Sequence, residues 1–102
     1  MTLEEVWVRV HRHEGHVLVA ACDAELLGME LKHRGVDIKI SEKFYGGFKV
    51  SIEEALRLIE EATSANLLGE RIVKAAIKRG LIHKDAVIKL AGNIPHAMMI
   101  KI

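Results

Sequence analysis

Two strand-like runs, Val6-Trp7-Val8-Arg9-Val10-His11-Arg12-His13 and His16-Val17-Leu18-Val19-Ala20-Ala21-Cys22, flank Glu14-Gly15. A two-residue turn at that dipeptide pairs His13 with His16 and Val10 with Val19. Side chains alternate across a strand, so this register gathers Val6, Val8, Val10, Val17, Val19 and Ala21 on one face. Trp7, Arg9, His11, His13, His16, Leu18, Ala20 and Cys22 take the other. The aliphatic face is the core face, and the rest of the chain has to cover it.

Downstream, Asp23 is placed to cap a helical turn over residues 24–27, with Gly28 to stop it. The alternation in Val36-Asp37-Ile38-Lys39-Ile40 predicts a half-buried strand, and residues 48–50 a short one after Gly46-Gly47. Ser51-Ile52-Glu53-Glu54 is a capping box, followed at helical spacing by Ile52, Ala55, Leu56, Ile59 and Ala62. A second periodic stretch runs over residues 66–79, with Asn66 as its N-cap and Gly80 just past its end. Its inward positions are Leu68, Ile72, Val73, Ala76 and Ile77. The expectation is one α+β domain over residues 1–102: a mostly antiparallel sheet with two helices packed on one face. That sheet takes the first hairpin, the Val36 strand and the two C-terminal runs around Gly92-Asn93-Ile94-Pro95-His96. Its core adds Ile38, Ile40, Leu68, Val87 and Ile100 to the hairpin valines and the helical stripes.

Half the 102 residues are hydrophobic and 28% are charged, which suits a folded chain, and a net charge of +1 gives no global argument for nucleic acid or membrane. No apolar run nears the roughly 18 residues of a spanning helix. The start, Met1-Thr2-Leu3-Glu4-Glu5, lacks a signal-peptide layout, and a single cysteine, Cys22, fits a reducing compartment. A cytoplasmic protein is expected. Gln is absent and only Asn66 and Asn93 carry amides, which points to a thermophilic source.

Four groups of residues carry chemistry. His11, His13 and His16 share a strand face, but a hairpin tip supplies little outer support, so no metal or cofactor is assigned. Between residues 71 and 89 lie six basic residues (Arg71, Lys74, Lys78, Arg79, Lys84, Lys89) against one acid, Asp85. Arg71, Lys74 and Lys78 fall on one helical face, a candidate phosphate-contacting stripe. The acids of the preceding helix, Glu53, Glu54, Glu60 and Glu61, offer those bases an alternative partner. Lys43-Phe44-Tyr45-Gly46-Gly47-Phe48-Lys49 holds three of the four aromatics between lysines, so Lys43, Tyr45 and Lys49 are candidates for stacking bases and holding phosphates. Asn66 and Glu70 share a face if the second helix is continuous, and with Asn93 and His96 they form a candidate pocket for acid–base work. Cys22 beside Asp23 has no activating base.

Val17-Leu18-Val19-Ala20-Ala21-Cys22-Asp23 with Leu27-Gly28, Ser41-Glu42-Lys43-Phe44-Tyr45-Gly46-Gly47, Ala65-Asn66-Leu67-Leu68-Gly69-Glu70-Arg71 and Gly92-Asn93-Ile94-Pro95-His96-Ala97 resemble a small archaeal family, domain of unknown function 424. The resemblance spans nearly the whole chain in order. It implies an archaeal, cytoplasmic protein that keeps company with the translation machinery, and it carries no established activity. The leading expectation is a non-enzymatic binding module contacting RNA or a ribonucleoprotein. The alternative is a small enzyme or ligand-binding protein built on Asn66, Glu70, Asn93 and His96. A third is a homo-oligomer paired through the C-terminal run Met98-Met99-Ile100-Lys101-Ile102 as an edge strand.

Overall fold

The structure, a computed structural model, describes residues 5–101. Met1 to Glu4 of the expected acidic start, and Ile102 of the expected edge strand, lie outside the described residues. The first hairpin is β1 (Glu5–His13) and β2 (His16–Asp23), with His13 opposite His16 and Val10 opposite Val19, in the register the turn dictates. β3 (Glu30–His33) and β4 (Val36–Lys39) form a separate two-stranded sheet. They are followed by α1 (Glu42–Tyr45), β5 (Phe48–Ser51) and α2 (Ile52–Glu61). β6 (Ser64–Leu68), α3 (Glu70–Lys78), β7 (Ile88–Leu90) and β8 (Ile94–Ile100) complete the chain. The main sheet has six strands in the order β5-β1-β2-β6-β8-β7, antiparallel except for the β2–β6 pair. The fold is thus α+β with a mostly antiparallel sheet.

α2 begins where the capping box puts it: the Ser51 hydroxyl accepts from the Glu54 N–H at 3.1 Å. α2 and α3 together cover the valine face. Val6, Val8, Val19 and Ala21 pack there with Ala55, Leu56, Ile59, Ile72, Val73 and Ala76. Gly80, at φ +82°, follows the end of α3 as a C′ residue should.

Four expectations need correction. The second helix does not start at Asn66: residues 64–68 are a central strand, and α3 starts at Glu70. Leu68 therefore sits on a strand, not on a helix face. Strand–glycine–helix needs a sharp change of direction, and Gly69 supplies it at φ +119°. A Cβ at Gly69 would also lie 2.4 Å from Asp23 Cγ, so the site excludes a side chain twice over. The Val36 strand stays out of the main sheet. Paired with β3, it lies with α1 over the face opposite the helices, and this gives the sheet a second core. There Ala20, Cys22, Leu26, Ile40, Tyr45 and Leu68 are buried, with Trp7, Leu31, Phe44 and Ile94 against them. The valine face is accordingly one of two buried faces. Ile100, expected in the core, is 74% exposed. Among the described residues, no helix is long and apolar enough to cross a membrane.

Candidate functional site

α3 carries Ile72, Val73 and Ala76 into the helix-side core and turns Lys74 and Lys78 outward. After α3 the chain returns through Lys84 to β7, where Lys89 follows. Lys74, Lys84 and Lys89 converge on one groove of about 310 Å³ with Glu70 at its edge. Val73, Ile77, Val87 and Pro95 make its apolar floor. Lys78 lines a neighbouring cavity of about 450 Å³ that Lys74 also borders, shared with Asp23, Glu25, Glu70 and Arg71. Among the described residues, Lys74, Lys78, Lys84 and Lys89 make no ion pair. The other two bases of this segment are engaged. Arg79 bridges Glu53 and Glu60 of α2, and Arg71 pairs with Glu25 at 2.7 Å while donating to the Glu5 carbonyl at 3.2 Å. That contact holds the Glu25 carboxyl below its ordinary value.

The aromatic-and-lysine group does not join this groove. α1 packs on the second core, so Lys43 and Tyr45 lie across the sheet from α3. Lys49 pairs in register with Trp7, and its ammonium sits 5.5 Å from the centre of the Trp7 ring. Tyr45 is only 7% exposed, meets Phe44 edge-on and donates its hydroxyl to Asn66 Oδ1 at 2.8 Å. A ring buried in this way has no free face on which to stack a base, which corrects the expectation for Tyr45. His11 stacks on Phe44 at 5.1 Å between ring centres, and its Nε2 lies 2.9 Å from the Phe44 carbonyl. Among the described residues, no cluster of three or more His, Cys, Asp or Glu has metal-holding geometry.

The four pocket candidates divide into two pairs. Asn66 and His96 do meet: Asn66 Oδ1 lies 2.9 Å from His96 Nε2, on the face that holds Leu68 and Tyr45. An oxygen that already accepts from Tyr45 takes a donor from the ring, so Nε2 carries the hydrogen. Burial pushes the His96 pKa below its ordinary value. Glu70 and Asn93 lie elsewhere, beyond the end of β6, where both border a cavity of about 150 Å³ with Asp23, Glu25 and Pro95. Asn66 and Glu70 share no helical face because Asn66 is on a strand, and His96 points away from the face that carries α3. The acid–base trio of Asn66, Glu70 and His96 is not assembled.

One residue with a large structural role was assigned to a different one. Asp23 caps no turn of its own. Its carboxylate reaches across the sheet end to α3 instead, accepting from the Arg71 N–H at 2.9 Å and the Ile72 N–H at 3.0 Å. It is the one buried charged side chain described, 2% exposed. Burial raises its pKa while the two N–H bonds oppose that shift.

A family model described as "Protein of unknown function (DUF424)" matches residues 11–102. The chain belongs to the DUF424 family. Among solved structures, an uncharacterized conserved protein from Methanopyrus kandleri matches this DUF424 chain with a TM-score of 0.80 and 32% identity, over 93% of this chain and 90% of that one. No curated protein matches it. Sequence reasoning counted Lys84 and Lys89 in the basic segment without placing them beside Lys74. The only signal was the charge run itself, because the groove forms when β7 returns alongside β8.

Proposed function

We propose that this DUF424 chain is a non-enzymatic module that binds RNA through the groove rimmed by Lys74, Lys84 and Lys89, with Lys78 extending the basic surface along α3. The observation that carries the reading is the convergence of three lysines, none with a described ion-pair partner, on a single groove. Solvated lysines held close together gain more from a phosphate chain than lysines spread over a surface, because each phosphate contact releases a condensed counterion. Arg71 plays a structural part here, tied to Glu25 and the Glu5 carbonyl. Lys43 and Lys49 lie on the other side of the sheet and contribute a separate, weaker contact. An archaeal source fits the Methanopyrus relative, and a single cysteine fits a reducing, cytoplasmic setting; company with the translation machinery rests on the family resemblance alone.

The test is binding of a labelled single-stranded RNA between about 50 and 200 mM salt, where three to four phosphate contacts give a log–log slope of about −2 to −3. Replacing Lys74, Lys84 and Lys89 together by Ala is expected to lower affinity at least tenfold and flatten the slope by about two. Replacing Lys43 and Lys49 changes it little. No binding at the lowest salt, or binding whose slope the triple variant leaves unchanged, rejects the reading.

A further inference from the structure

β8 is longer than the strand beside it. β7 pairs only with the first half of β8, through Ile88–His96, Lys89–Pro95 and Leu90–Ile94. Among the described residues, no strand lies beside the outer side of β8 past His96. The hydrogen-bond pattern shows which groups are left there. The Lys101 N–H donates to the Thr63 carbonyl, and the Pro95 carbonyl accepts from the Gly69 N–H, so odd-numbered residues of this run turn toward β6. Antiparallel ladders alternate. The N–H and C=O of Met98 and Ile100 therefore point outward, and among the described residues no backbone hydrogen bond reaches them. The same two residues expose their side chains, Met98 by 60% and Ile100 by 74%, beside Ile88 at 57%. Native sheets usually guard such an edge with a charge, a bulge or a covering element. Here no charged residue lies between Ala97 and Ile100.

We infer that the outer edge of residues 97–101 is a docking edge for a second copy of this chain, paired antiparallel about a two-fold axis through Met99. The occupant follows from the register. With Met99 at the axis, Met98 of one copy faces Ile100 of the other twice over. Both members of each pair turn their N–H and C=O outward, which gives four inter-copy hydrogen bonds. Moving the axis by half a residue sets outward groups against inward ones and forms none. Moving it to Met98 brings His96, already bonded to β7, into the seam and leaves a single pair. The Met99 register also sets the exposed Met98 side chain against the exposed Ile100 side chain, and Lys101 against Ala97, so no like charges oppose each other. The edge is complementary to itself, and two six-stranded sheets become one continuous sheet with both helix layers on the same side.

A seam of five residues belongs to the small interfaces, below about 1,200 Å², so association is concentration-dependent. Sedimentation of the full chain from about 10 µM to about 1 mM is expected to show the mass rising from 11.4 kDa toward twice that value. Amide exchange at Met98 and Ile100 should slow over the same range, while Ala97 and Met99, already bonded to β6, stay protected throughout. Ile100→Pro removes an outward N–H that no described bond of the chain uses, and Met98→Lys puts an ammonium into the seam. Each is expected to weaken the dimer at least tenfold with the circular dichroism unchanged, and if the proline variant fails to fold, Met98→Lys decides. A chain that stays at 11.4 kDa throughout overturns the inference. So does a dimer that persists in a folded variant while exchange at Met98 and Ile100 ignores concentration.

Discussion

Replacing Asp23 by Ala should be among the most damaging single changes to this sheet, although Asp23 lies 47 residues or more from the helix it caps. The magnitude follows from its contacts. A net hydrogen bond to a charged group contributes about 1.5–3 kcal/mol, and Asp23 accepts two from α3, so the upper bound is about 6 kcal/mol. The carboxylate is almost wholly buried, and the cost of that burial, visible in its raised pKa, offsets part of the gain. Removing it leaves the N–H groups of Arg71 and Ile72 without an acceptor, the latter in the core. A loss of about 3 kcal/mol results, against about 1 kcal/mol for an ordinary solvent-exposed cap. Ser51→Ala at α2 is the matched control, since its single 3.1 Å bond is exposed. Urea unfolding at neutral pH, followed by circular dichroism, measures both. The Asp23 variant should also melt roughly 12–20 °C lower. If Asp23→Ala costs no more than Ser51→Ala, the long-range cap is not what holds α3.

Two further outcomes follow from the second core. His96 has its pKa lowered by burial, so the unfolded chain takes up a proton near pH 6.5 before the folded one does. Stability from this group is complete above that pH and falls as pH drops through 6.5 toward the folded value; urea titrations of wild type and His96→Gln should therefore diverge below neutrality, and parallel curves would contradict the assignment. Burial, followed by the charges of Asp23 and Glu25, pushes the Cys22 thiol up to about 12. An aromatic disulfide reagent at pH 8 should label it only at the unfolding rate, and prompt labelling of native protein would show that the second core opens.

What could be read from the chain alone depended on how local the determinants were. The β1–β2 register was legible because a two-residue turn and a period of two leave no other pairing for the valines. The start of α2 was legible because a capping box is a contact within four residues. β6 was misread for the opposite reason. Ser64-Ala65-Asn66-Leu67-Leu68 has no strand alternation, since a strand buried on both faces needs none, and it runs directly into a helix whose period absorbs Leu68. Gly69 was the available signal, a break inside a stretch whose flanking residues keep helical spacing. Asp23 was recognised as a cap and given to the nearest turn, because the helix it serves is adjacent only in the folded chain. Asn66 and His96 were grouped only as part of a four-residue pocket with Glu70 and Asn93, and the separation of both from Glu70 could not be read from the chain. That separation depends on which side of a strand each residue takes, and the strand had been read as a helix.

The parallel β2–β6 pair explains why one strand-end carboxylate governs the helix that bears the proposed RNA-binding lysines. Parallel strands leave a sheet in the same direction, and the last pair is Cys22 with Leu68. Asp23 and Gly69 therefore emerge side by side, and α3 starts one residue later with its free N–H groups within reach of the carboxylate. Any side chain at position 69 would displace that carboxylate, so glycine and aspartate form a single device for setting the direction of α3. The device fixes Lys74 opposite Lys84 and Lys89, but Asp23 itself lies outside their groove. Asp23→Ala should therefore lower the folded fraction without changing the RNA affinity of the molecules that remain folded. Affinity measured against folded protein, well below the melting midpoint, would stay within about twofold of wild type, where a loss of 1.4 kcal/mol would be tenfold. A tenfold loss in fully folded Asp23→Ala would mean that the carboxylate orients the groove as well as holding the helix. An unchanged affinity would confine the carboxylate's part to holding the helix.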